Sequence, residues 1–164
     1  MCANEQLLIA IHKTAEMGML STEKIMEVSR DEALKRALSD SREEYKRIWM
    51  SADTLLKASD GDDKGVSGMA KAMTDMNIEL TAASGGSTEK LLEKLSKGNE
   101  RGLEELERAL SEFGGGAYEE TVNLAGALRS LLIRERADLD SALEEGAGPL
   151  APEPRGEDSP RDRV

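Results

Sequence analysis

Apolar residues recur every three or four positions through most of the chain, and polar residues fill the intervals. That period predicts amphipathic α-helices. The first helix is predicted over 4–28, with two overlapping stripes: Leu8, Ile11, Ala15, Gly18, Thr22, Ile25 and Leu8, His12, Ala15, Met19, Thr22, Met26. Ser29 and Glu32 read as a capping box between this helix and a second over 30–58. The second carries the most regular seam in the chain, Leu34, Leu38, Ser41, Tyr45, Ile48, Ala52 and Leu55, opposite a wet face of Asp40, Glu43, Arg47 and Lys57. Such spacing suits packing against near-parallel neighbours.

A polar loop over 59–65 leads to a shorter helix over 66–83, where Met69, Met73, Met76 and Leu80 share a row. The closely spaced aspartates of the loop lack the full ligand set and the bidentate glutamate of a calcium loop. Ser84-Gly85-Gly86-Ser87 interrupts the pattern, which resumes over 88–113 with Leu92, Leu95, Asn99, Gly102, Leu106, Ala109 and Phe113. Gly114-Gly115-Gly116 is the next stop. A last helix over 117–145 uses Thr121, Ala125, Leu128, Leu132, Glu135, Leu139 and Ala142, and Gly146 closes it. Residues 1–146 form the predicted bundle domain, and 147–164, rich in Pro, Gly and charge, a disordered tail.

At ~1.5 Å per residue the four long helices each span ~38–44 Å, and the Met-rich one ~27 Å. Matched lengths with one short element between the second and third predict an all-α, antiparallel four-helix bundle. Its hairpins would be joined by a crossover, in the up-down-down-up order of ferritin-like proteins. The rival is an up-down-up-down bundle in which 66–83 and 88–113 form one kinked helix. The paired glycines favour the crossover.

Composition sharpens this picture. Hydrophobic residues make up 38 % of the 164, aromatic ones only 2 %, which suits helix and disfavours sheet. A net charge of −11 argues against binding nucleic acid or anionic membranes. The apolar runs are too short to span a bilayer. Cys2 is the single cysteine, so no internal disulfide is expected and a cytoplasmic location is the default.

The candidate chemistry is thin. A ferritin-like outline invites a di-metal centre, which requires Glu-x-x-His pairs on two helices. The chain has one histidine, His12, and Ile9 stands where the glutamate would be. A reduced divalent-metal site through His12, Glu16 and Glu135 remains open; Glu135 at a seam position alternatively meets the Tyr45 hydroxyl, His12 or an arginine. Met69, Met73 and Met76 fill a groove or form an adaptable partner face. Gly98 and Gly102, one turn apart, imply close approach of a neighbouring backbone, within the bundle or from a second protomer. No nucleophile elbow or phosphate-binding glycine loop is present, and no catalytic residue is assigned.

Three strings carry a resemblance: Ile11-His12-Lys13-Thr14-Ala15-Glu16-Met17-Gly18, Met69-Ala70-Lys71-Ala72-Met73 and Gly98-Asn99-Glu100-Arg101-Gly102. Over residues 7–143 the chain resembles a family of small, uncharacterised helical proteins from Gram-positive, mostly anaerobic bacteria, with ferritin-like proportions. In that family a histidine often precedes the glycine pair, where Lys90 stands here. The resemblance implies a fold and no activity. The expected function is a non-enzymatic bundle acting through a protein partner or self-association. The alternative is a degenerate ferritin-like protein holding a metal or small ligand through His12, Glu16 and Glu135.

Overall fold

The computed structural model describes residues 1–59 and 88–145, all of them helical or in the short connections between helices. Four helices run Ala3–Val28 (α1), Glu32–Ala58 (α2), Thr88–Phe113 (α3) and Glu119–Glu144 (α4). A 3-10 turn over Gly114–Gly116 joins the last two. Among the described residues there is no strand, and no helix is long and apolar enough to cross a membrane. The predicted Met-rich helix, the Ser84–Ser87 break, Gly146 and the tail lie outside the described residues.

The helix starts follow local chemistry, with one correction. Asp31, not Ser29, caps α2: its Oδ1 accepts from the Ala33 and Leu34 backbone N–H groups at 3.0 and 3.2 Å. An aspartate there also suits the positive end of the helix dipole. Ser29 instead ends α1, donating its N–H to Ile25 O at 2.8 Å and accepting from the Asp31 N–H through its hydroxyl. At the other end of the molecule Tyr118 precedes α4 without a side-chain cap of its own; the Asn4 side chain of α1 accepts its N–H at 3.0 Å.

α1 packs on α2 and α3, α4 packs on all three other helices, and α2 and α3 hardly touch. The pairs crossing each interface have a consistent order. Between α1 and α2, His12 meets Asp53 and Glu23 meets Arg42, so the numbering falls on one as it rises on the other. Between α3 and α4, Ser96 bonds Asp140, Glu100 pairs with Arg136 and Glu107 with Arg129, again opposed. Between α1 and α4, Asn4 meets Tyr118 and Thr22 meets Glu135, so the numbering rises together.

Most predicted seam positions are buried; Gly18, Met19 and Met26 of α1 and Gly102 and Phe113 of α3 are half-buried, and Leu7 and Leu91 are buried outside the predicted rows. All seven positions predicted for the last helix are buried in α4, with Leu131 added. The α2 seam holds from Leu34 to Ala52 and then slips, because Leu56, not Leu55, is buried. A straight α-helix drifts ~20° per heptad from a 3.5-residue period, so after three heptads the inward position moves on by one. Burying a leucine contributes about 1.5–3 kcal/mol, so these seams dominate the stability of the bundle.

The core divides into two apolar regions. One holds Leu7, Leu8, Ile11, Ile48, Leu56, Leu106, Leu128 and Leu131; the other holds Ile25, Leu34, Leu38, Leu91, Leu92, Leu95 and Leu139. Between them lies a layer of buried polar side chains: Thr22, Ser41, Tyr45, Asn99 and Glu135.

Candidate functional site

Every helix contributes to the polar layer. Glu135 of α4 is 4 % exposed and takes three contacts: Tyr45 O–H of α2 donates to Oε1 at 2.7 Å, Asn99 Nδ2 of α3 donates to Oε1 at 3.4 Å, and Thr22 Oγ1 of α1 lies 2.5 Å from Oε2. Thr22 Oγ1 also lies 2.7 Å from the Gly18 carbonyl oxygen, one turn back on its own helix.

The hydrogens can be counted. The single Thr22 hydroxyl hydrogen serves only one of these two acceptors at a time; in the back-bond that threonines in helices commonly make, it goes to Gly18 O. The 2.5 Å contact to Glu135 is then a hydrogen bond if the glutamate carries the proton and donates it to Thr22 Oγ1. Burial, the largest influence on this carboxyl, raises its pKa, which agrees with a neutral acid. The Tyr45 phenol is raised well above its ordinary range, by burial first and by Glu135 second, and stays a donor. The neutral network closes on itself: Tyr45 and Asn99 donate to Oε1, while Oε2–H donates to Thr22, which donates to Gly18. One group is left over. Asn99 Oδ1, on a residue 8 % exposed, has no hydrogen-bond partner.

Gly18 seats this layer. A Cβ there would fall 2.8 Å from Tyr45 Cδ1 and closer to Cε1 and Cζ, so the phenol ring lies directly on the α1 backbone. Among the described residues, no neighbouring backbone makes the close approach predicted for Gly98 and Gly102. A Cβ at Gly98 meets nothing within 4 Å, and one at Gly102 meets Thr14 Cγ2 at an ordinary 3.6 Å.

Both glycines instead line a cavity of about 560 Å³. Its floor includes Thr22, Tyr45, Asn99 and Glu135, and its walls include Met17, Ile25, Leu38, Leu95, Leu132 and Leu139. Among the described residues, Lys13, Lys94, Lys97, Arg101 and Glu105 also line it. Lys94, Lys97 and Arg101 are exposed, which places them at the mouth. The volume lies within the range of small-molecule sites.

The three residues proposed together for a metal do not meet. His12 is 1 % exposed and lies between α1 and α2, its ring 4.9 Å from the Trp49 ring. Its Nε2 is 3.4 Å from Asp53 and its Nδ1 3.9 Å from Glu16, but neither nitrogen makes a directed hydrogen bond. The two carboxylates face opposite ring nitrogens, so no single ion has all three as ligands. Glu135 is held by a different set of side chains altogether. Among the described residues no group of three or more His, Cys, Asp or Glu side chains converges on a common point that could hold a metal ion. Met69, Met73 and Met76 lie outside the described residues.

Thr22 and Asn99 are the site residues that chemistry-seeking inspection of the sequence passes over. The available signal was one polar residue near the middle of each apolar seam: Thr22, Tyr45, Asn99 and Glu135. No family model, curated protein or solved structure matches the chain, so the site stands on its geometry alone.

Proposed function

We propose that this protein is a small-molecule-binding helical bundle whose site is the cavity floored by the Glu135 layer. The observation that carries the reading is the pair of glycines on its wall. Glycine costs about 0.5–1 kcal/mol in a helix interior relative to alanine. Gly98 and Gly102 return none of that through packing, since a Cβ fits at both. What they provide is room, at an opening that leads to the Glu135 layer. A single neutral carboxyl among hydroxyl and amide groups is a poor ligand set for a divalent ion. It suits an organic molecule that makes a few hydrogen bonds.

The interface pairs support an up-down-down-up order of ferritin-like connectivity as the frame for this site. α1 opposes α2, α3 opposes α4, and α1 runs with α4, so α2 runs with α3. In that frame the cavity opens between α1 and α3, where Thr14, Gly98 and Gly102 keep the side chains short.

The test is amide chemical-shift mapping with a panel of medium-chain acids and alcohols. Saturable shifts at Thr14, Met17, Gly98 and Gly102 are expected, and Gly102→Leu should abolish them while leaving the melting temperature within a few degrees of wild type. Shifts that persist unchanged in Gly102→Leu would place binding elsewhere and sink the reading.

A further inference from the structure

Resting on that reading, we infer that the ligand is an uncharged organic molecule and that its binding is coupled to the uptake of one proton on Glu135. Two observations meet at this residue. Glu135 lines the cavity and keeps 4 % of its surface exposed. It is also the side chain on which Thr22, Tyr45 and Asn99 converge. Whatever fills the cavity therefore changes the surroundings of the carboxyl that joins all four helices. The walls, with Met17, Ile25, Leu38, Leu95, Leu132 and Leu139 among them, favour a molecule without charge, because an ion among such side chains loses its water and gains no partner.

The two protonation states of Glu135 respond to filling in different ways. The neutral acid has its partners within the protein: Tyr45 and Asn99 donate to Oε1, and Oε2–H donates to Thr22. It needs nothing from the cavity. A carboxylate keeps the two donors on Oε1 but has no proton for Thr22, and its charge is best held with the cavity open to water. An uncharged ligand puts a low-dielectric neighbour in that space, which disfavours the charged form and leaves the neutral one as it was. Binding therefore favours the protonated state, and by reciprocity the proton favours binding. Burial already raises this carboxyl, with Asp138 of the same helix adding to the effect, and a bound ligand raises it further. Affinity is then constant while the empty protein still holds the proton, falls as pH climbs past that point, and levels once the filled protein ionises too. From α2 the titratable neighbour is Tyr45, which stays a donor. Lys13 of α1 and Lys94, Lys97, Arg101 and Glu105 of α3 line the same cavity. Glu135→Gln leaves all of these in place and removes only the proton, so it isolates the coupling.

The probes are 1-octanol, octanoate and octylammonium, titrated calorimetrically into the full chain over a series of pH values. Octanol should bind tightest at every pH, with each ion about tenfold weaker or more. The octanol affinity of wild type should fall as pH climbs above the ordinary glutamate range, by up to about tenfold per pH unit, the limit for one proton. Within the falling range, titrations in two buffers of different ionisation enthalpy should report proton uptake on binding. Glu135→Gln should bind octanol with an affinity that does not change with pH, and without proton uptake. If that variant does not fold, the two-buffer measurement on wild type decides alone. An octanol affinity that stays flat or rises with pH, without proton uptake, overturns the coupling while the cavity reading stands. Either ion binding as tightly as octanol overturns the uncharged assignment in the same way. If none of the three binds, both fall.

Discussion

Two titratable side chains are buried to nearly the same depth, and the bundle treats them in opposite ways. Glu135 sits at the middle of the molecule with partners from three other helices and its hydrogens accounted for. His12 sits between α1 and α2, wedged against Trp49, with carboxylates at 3.4 and 3.9 Å and no directed hydrogen bond. A buried group bonded on all sides specifies how four helices register. A buried group held by ring packing specifies little beyond its own volume. Of the two, Glu135 lines the 560 Å³ cavity, which is why the proposed site is built around it.

Substitution separates the two most sharply. Glu135→Leu strands the Tyr45 hydroxyl and the Asn99 amide, at a cost of about 2–4 kcal/mol, read as a fall of roughly 10 °C in melting temperature. His12→Leu removes a ring that makes no hydrogen bond and should fall within about 1 kcal/mol of wild type. A histidine variant that costs more than the glutamate variant would invert the comparison.

The glycines divide in the same way. Gly18→Ala drives a methyl group into the Tyr45 ring and should destabilise by about 1–3 kcal/mol. Gly98→Ala adds a methyl group where there is open space and should stabilise the helix by about 0.5–1 kcal/mol. Thermal melts of the two variants side by side check both signs.

A pH dependence refines the comparison further. The Glu135 pKa is raised in the folded state, so between the ordinary glutamate range and that raised value the folded chain holds a proton that the unfolded chain has released. Its contribution to stability is therefore full below the ordinary range, falls as pH rises through that window, and is constant above it. Glu135→Gln keeps the acceptor for Tyr45 and Asn99 and a donor for Thr22, with no proton to lose. The stability of the variant relative to wild type should rise as pH climbs above the ordinary glutamate range. Equal slopes for the two proteins would show Glu135 ionised in the folded state.

The helices were legible in the sequence because burial follows period, and most predicted seam positions are buried. Leu56 displaced Leu55 through helical drift, which a fixed heptad ignores. Asp31 displaced Ser29 because two capping residues stood within reach of one helix start, and only the backbone conformation chooses between them. Glu135 was suspect from its seam position, and the Tyr45 hydroxyl was among its foreseen partners. Asn99 and Thr22 stood in view at seam positions too, but their convergence depends on how four helices align along their axes. Among the described residues the close approach falls at Gly18 and not at Gly98 or Gly102, because which glycine receives a ring depends on where Tyr45 lands. The cavity had no local signal, since twenty residues from four helices surround it.

The neutral state of Glu135 underlies the closed network and the coupling of ligand to proton. It is observed most directly in the side-chain carboxyl carbon resonance of Glu135, followed by NMR through a pH titration. The resonance should stay at the position of a protonated acid after the exposed glutamates have ionised, and move only at higher pH. A Glu135 resonance that titrates together with the exposed glutamates would contradict the account.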